Sequence, residues 1–107
     1  MYIASPSAII KYSPEGKFVD QFGGKAKSSA EFEPGKFISP LDIAIDGYGR
    51  IFIADFYNLQ VFDASGKYLK NISGGYYGLA FDVQNNLYTT PVTKNNVAKF
   101  KIKKPAQ

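Results

Sequence analysis

The sequence predicts an all-β fold made of repeated sheets of four antiparallel strands. Three observations predict it: short runs of alternating β-branched or aromatic residues, turns rich in Asp and Gly between them, and a segment pattern that recurs along the chain. Of the 107 residues, 45% are hydrophobic, with eight tyrosines and nine phenylalanines, enough to bury the core of one small domain.

The recurrence comes first because it sets the frame for every element. Met1-Tyr2-Ile3-Ala4-Ser5 aligns with Ile51-Phe52-Ile53-Ala54-Asp55 at a shift of 50, and in the same register Tyr12-Ser13-Pro14-Glu15-Gly16-Lys17-Phe18 falls on Phe62-Asp63-Ala64-Ser65-Gly66-Lys67-Tyr68. A second shift of 36 puts Ile43-Ala44-Ile45-Asp46 on Leu79-Ala80-Phe81-Asp82 and Ile51-Phe52 on Leu87-Tyr88. The period is therefore 36 residues. The first interval exceeds it by 14 (50 against 36), and the excess falls in residues 25–37, a Lys, Ser, Glu, Pro and Gly stretch that reads as an inserted loop.

In the complete middle unit, strand a spans 41–45, b 50–54, c 59–62 and d 68–72. Asp46-Gly47-Tyr48-Gly49 joins a to b and Asp63-Ala64-Ser65-Gly66 joins c to d, supplying the residues that tight hairpins need. In the third unit Val83-Gln84-Asn85-Asn86 takes the place of the glycine turn, since Asn tolerates the left-handed conformation. The first unit supplies b, c and d and the third a, b and c. Ten strands result.

A four-stranded sheet recurring at about 40 residues is the signature of a β-propeller blade, because one such sheet buries both faces only when neighbours stack on it. The chain then divides into a partial blade at 1–24, an inserted loop at 25–37, a full blade at 38–74 and a partial blade at 75–104: an incomplete propeller with strands b-c-d, a-b-c-d and a-b-c. Ser39-Pro40-Leu41-Asp42-Ile43-Ala44-Ile45-Asp46-Gly47-Tyr48-Gly49-Arg50-Ile51-Phe52-Ile53-Ala54-Asp55-Phe56-Tyr57-Asn58, followed by Val61-Phe62-Asp63-Ala64-Ser65-Gly66-Lys67, resembles an NHL repeat. The resemblance covers about residues 1–102. The third unit departs from it, with Thr89-Thr90-Pro91 where the second strand of the pattern ends in Ala-Asp. Propellers of this type usually have six blades, or about 24 strands, so the resemblance implies under half a ring, and either a fragment or an assembly.

Ala44, Ala54 and Ala80 are small residues among Ile and Phe, suited to strands that converge on a central channel. Asp46, Asp63 and Asp82 stand at strand ends, where a carboxylate accepts hydrogen bonds from turn amides, and they read as turn formers rather than as metal ligands or catalytic groups.

Composition excludes much chemistry. The chain has no cysteine and no histidine, which removes disulfides, thiol catalysis, cysteine zinc sites and the usual general base near neutral pH. The net charge of +4 is a property of one end: residues 1–93 hold eight basic and nine acidic side chains, whereas 94–107 hold Lys94, Lys99, Lys101, Lys103 and Lys104 and no acid. Alternating with Phe100 and Ile102, these lysines describe a strand with one wet face, and they suit an edge guarded against aggregation. No apolar run reaches the ~18 residues of a membrane helix, and the N-terminus lacks a basic region followed by an apolar stretch, so a soluble chain with neither a membrane span nor a signal peptide is expected.

The loops joining b to c and d to a share one face of a propeller, and here they are aromatic. Phe56, Tyr57, Tyr76, Tyr77, Phe32 and Phe37 are the candidate ligand-binding residues, because loop aromatics bring contact area at low entropic cost. An alternative reading has Tyr76, Tyr77 and Phe37 sealing the seam between blades. The expected function is a non-catalytic scaffold that binds a protein or peptide on this face and self-associates, as a homo-oligomer or with a companion chain, to complete the propeller. No cofactor is expected. A second reading, single-stranded RNA binding, is implied by some NHL propellers, but Lys25, Lys27, Lys36 and Lys94 on this face are offset by Glu31, Glu33 and Asp55. A third reading is a fragment of a propeller lyase or lactone hydrolase; the lyase uses histidines, and only Asp42 and Asp55 are placed to serve a calcium ion at the channel mouth, too few for a full site without a second chain.

Overall fold

The computed structural model describes residues 2–5, 8–27, 33–93 and 96–101. Three antiparallel sheets follow one another along the chain. Sheet 1 is β1 (Tyr2–Ser5), β2 (Ala8–Tyr12) and β3 (Phe18–Phe22). After the short strands β4 (Gly24–Lys25) and β5 (Lys36–Phe37), sheet 2 is β6 (Pro40–Ile45), β7 (Ile51–Asp55), β8 (Asn58–Phe62) and β9 (Tyr68–Ser73). Sheet 3 is β10 (Tyr76–Phe81), β11 (Asn86–Pro91) and β12 (Ala98–Lys101). Each is a meander in sequence order, so every strand pairs with its neighbour in the chain. No helix is long and apolar enough to cross a membrane among the described residues.

The ten strands expected are the ten longer strands found. The inserted loop differs from expectation: β4 and β5 form a parallel pair at its base, and the Ala26 N–H donates to the Phe37 carbonyl at 2.8 Å. The cause is Phe37, which is fully buried and draws the end of the insertion into the core.

The hairpin turns share one construction. Asp46, Asp63 and Asp82 each turn a carboxylate oxygen onto the amides two and four residues ahead, at 2.8 to 2.9 Å. Ser13 uses its hydroxyl in the same way toward the Lys17 N–H. The fourth residue has positive φ in every case: Gly16 (84°), Gly49 (84°), Gly66 (93°) and Asn85 (66°). Arg50 follows its turn and returns to Asp46 through Nε at 2.6 Å, a buried ion pair that leaves the Asp46 carboxylate compensated.

Two hydrophobic clusters fill the spaces between sheets. Tyr2, Ile9 and Phe22 of sheet 1 meet Ile43, Ile51, Ile53, Phe62 and Tyr68 of sheet 2, with Phe37 wedged among them. On the other side of sheet 2, Phe52, Ala54, Leu59, Val61 and Ile72 meet Tyr76, Leu79, Phe81, Leu87 and Phe100 of sheet 3. Alternation along β7 sends Ile51 and Ile53 one way and Phe52 and Ala54 the other, and all of β7 is buried. Each fully buried Phe or Ile contributes roughly 1.5–3 kcal/mol of transfer free energy. The first strand of sheet 2, β6, lies against both β1 and β10, so sheets 1 and 3 approach sheet 2 along the same strand.

Candidate recognition surface

The surface is built where three links meet on one rim of sheet 2. The link between β7 and β8 is only Phe56-Tyr57, and Asp55 anchors it: fully buried, its carboxylate takes the Ile38 and Ser39 N–H groups at 2.9 and 3.0 Å. The Phe56 N–H then donates to the Ser39 carbonyl at 3.2 Å. The link between β9 and β10 is Gly74-Gly75. Gly74 takes φ 93°, and Gly75 is buried so tightly that a Cβ there would overlap the Phe56 carbonyl. Its own carbonyl accepts the Val92 N–H at 3.0 Å, bringing in the link after β11.

This pinning sets three rings side by side. Phe56 and Tyr57 stand edge to face with centroids 5.3 Å apart, and Phe56 and Tyr77 do so at 6.3 Å, both with planes at 71°. They are 41%, 47% and 53% exposed respectively, so the cluster is ordered by its own edge contacts while remaining open to solvent. Residues 56–58 and 73–77 include no charged side chain.

The structure separates the six candidate aromatics. Phe56, Tyr57 and Tyr77 come together as above. Tyr76 and Phe37 differ from the expected ligand-binding role. Tyr76 is 7% exposed, lies edge-on to Phe100 at 6.3 Å and donates its hydroxyl to the Ser73 carbonyl. Phe37 packs on Phe62 at 6.1 Å. Both occupy the seams between sheets, because β10 begins at Tyr76 and strand alternation sends Tyr76 inward and Tyr77 outward. Phe32 lies outside the described residues.

The two carboxylates considered for a cation serve the backbone instead. Asp55 holds residues 38 and 39, and Asp42 accepts the Ile43 N–H through Oδ1 and the Leu79 N–H through Oδ2, each at 2.8 Å. Among the described residues no three Asp or Glu side chains gather as a metal site would require.

Sequence reasoning missed Gln60. Fully buried in β8, it accepts the Gly35 N–H through Oε1 and donates through Nε2 to the Lys36 carbonyl and to Asn58 Oδ1, fastening the insertion to sheet 2. Its repeat partner at a shift of 50 is Ile10, and that replacement of an apolar by an amide residue is the one signal that could have marked it. No protein-family model matches the chain, and no curated protein matches it.

Proposed function

We propose that the chain is a run of β-propeller blades resembling NHL repeats, a non-catalytic scaffold that holds a protein or peptide against Phe56, Tyr57 and Tyr77. The blade reading is supported by three consecutive meander sheets stacked face to face along β6, with hairpin turns of one construction. The recognition reading is carried by a single observation: three exposed rings, with Phe56 in edge contact with both Tyr57 and Tyr77, on backbone fixed at Gly75. Rigid, solvent-facing Tyr and Phe lose little entropy when covered by a partner. The absence of charged residues in the two links favours a peptide over a nucleic acid, whose phosphates call for cations beside the stacking rings.

Panning a random-peptide phage library on the immobilised chain tests this. Selected peptides are expected to lose about tenfold or more in affinity on Tyr57→Ala or Tyr77→Ala, the loss typical of a central aromatic contact. Equal binding to a folded Phe56→Ala, Tyr57→Ala, Tyr77→Ala triple variant would overturn the proposal.

A further inference from the structure

The three sheets carry matching cross-strand pairs. Tyr2 lies opposite Lys11 in sheet 1, Phe52 opposite Val61 in sheet 2 and Tyr88 opposite Lys99 in sheet 3. In the first two sheets this face is covered by the next sheet: Tyr2 packs on the Ile51, Ile53 and Phe62 cluster, and Phe52 and Val61 pack on Leu87 and Phe81. Among the described residues, nothing covers the equivalent face of sheet 3. Ala80 and Lys99 are exposed there, and a shallow hollow of about 290 Å³ at the edge of this face is lined by Ala80, Tyr88, Thr90 and Val97 and reaches Asp42 of sheet 2.

The opposite face repeats as well. In sheet 2 it presents Ile53 and the ring pair Phe62 and Tyr68, paired across strands with centroids 5.9 Å apart and planes at 76°, all turned toward sheet 1. Sheet 1 presents Ile3 and the ring pair Tyr12 and Phe18, paired the same way at 6.5 Å and 84°. Here Ile3 is 46% and Phe18 59% exposed.

The chain thus displays both halves of a contact that it also contains in completed form, between sheets 1 and 2. Lys99 is no obstacle to that contact. Lys11 occupies the equivalent place beside the completed seam, its ammonium 5.7 Å from the Tyr2 ring centre, and Lys99 stands 5.6 Å from that of Tyr88. A cation held on a ring face and snorkelling to the rim is compatible with burial of the ring's other contacts. We infer that a second copy of this chain docks head to tail, the Tyr88 and Lys99 face of sheet 3 in one copy covering the Ile3, Tyr12 and Phe18 face of sheet 1 in the next. A symmetric contact of sheet 3 with itself would instead oppose Lys99 to Lys99. Head-to-tail contacts either close into a ring or extend into a filament. This inference rests on the repeat reading above and is independent of the peptide partner.

Light scattering coupled to size exclusion over a tenfold dilution, with paired variants, tests it. Phe18→Arg blocks the sheet 1 face and Ala80→Arg fills the sheet 3 hollow; each variant alone is expected to run at the mass of a single chain, whereas wild type exceeds it by at least about twofold at the highest concentration. Mixed, the two variants still offer one intact half each and are expected to form a one-to-one pair that grows no further. Recovery on mixing also shows that both are folded, and Ile3→Arg with Val97→Arg gives a second pair if either first variant loses its far-UV spectrum. Single-chain mass for wild type at every concentration, wild-type association by Ala80→Arg, or folded variants that stay apart on mixing would each overturn the inference. The Phe56→Ala, Tyr57→Ala, Tyr77→Ala variant is expected to associate as wild type does, so failure of the peptide reading and failure of this one are separate results.

Discussion

Asp42 Oδ2 accepts the Leu79 N–H at 2.8 Å, so a side chain of sheet 2 completes the backbone hydrogen bonding of sheet 3. The bond falls beside a register shift in β10, between Tyr76 and Leu79. Asp42→Ala removes the acceptor and leaves the donor to be satisfied elsewhere. A loss of about 1–3 kcal/mol is expected in urea unfolding, with Asp42→Asn retaining more than half of the difference because its amide oxygen still accepts.

Gly75 and Gly16 make a controlled comparison. A Cβ on Gly75 meets the Phe56 backbone, whereas a Cβ on Gly16 meets nothing, although Gly16 has φ 84°. Gly16→Ala is expected to cost about 1 kcal/mol for the left-handed backbone alone. Gly75→Ala is expected to exceed it, by roughly 1–3 kcal/mol typical of overpacking, and to alter the near-UV signal of Tyr57 and Tyr77 as the links separate. Equal melting temperatures for the two variants would mean that the close approach at Phe56 relaxes freely.

Gln60→Ala withdraws the fastening of the insertion while leaving β8 paired. Trypsin is then expected to cut at Lys27 or Lys36 at least several-fold faster than in wild type, with the three sheets intact in the far-UV spectrum. Gln60→Leu separates the two contributions, because it restores apolar volume and omits the hydrogen bonds.

Acid stability depends on two turns. The Ser65 hydroxyl and the Lys67 N–H hold the Asp63 carboxyl below its ordinary 3.8, and the Asn86 backbone and side-chain amides do the same for Asp82. The unfolded chain therefore binds these protons more readily than the folded one. Their stabilisation is fully present above pH 3.8 and is lost as pH falls through the lower folded values. An Asp63→Asn, Asp82→Asn variant is expected to be less stable than wild type at neutral pH and to lose less on acidification between about pH 5 and pH 2, as read from urea midpoints.

The order of strands was legible because a repeat and its turns encode it: the alignment of Ile51-Phe52-Ile53-Ala54-Asp55 with Met1-Tyr2-Ile3-Ala4-Ser5 places a strand in each unit, and Asn85 at φ 66° fills the turn position that Gly49 fills elsewhere. What was not legible depended on a neighbour. Gln60 gains its partners at Gly35 and Lys36 only when the insertion folds onto β8, and Tyr76 and Tyr77 are identical in sequence terms while one residue of strand alternation buries the first and exposes the second. Phe37 lies in a polar stretch whose composition suggests a loop, and only the proximity of Ile9 and Phe62 gives it a place in the core.

Among the described residues, sheet 2 is covered on both sides, whereas sheets 1 and 3 are each covered on one. Peeling away an outer sheet uncovers a single cluster; opening sheet 2 uncovers both at once. The arrangement therefore has a mechanical grain. Amides of β7 and β8 should be the last to exchange with solvent, β3 and β12 the first, and the cost of a substitution to the stability of the single chain should fall from the centre of the stack toward its two outer faces.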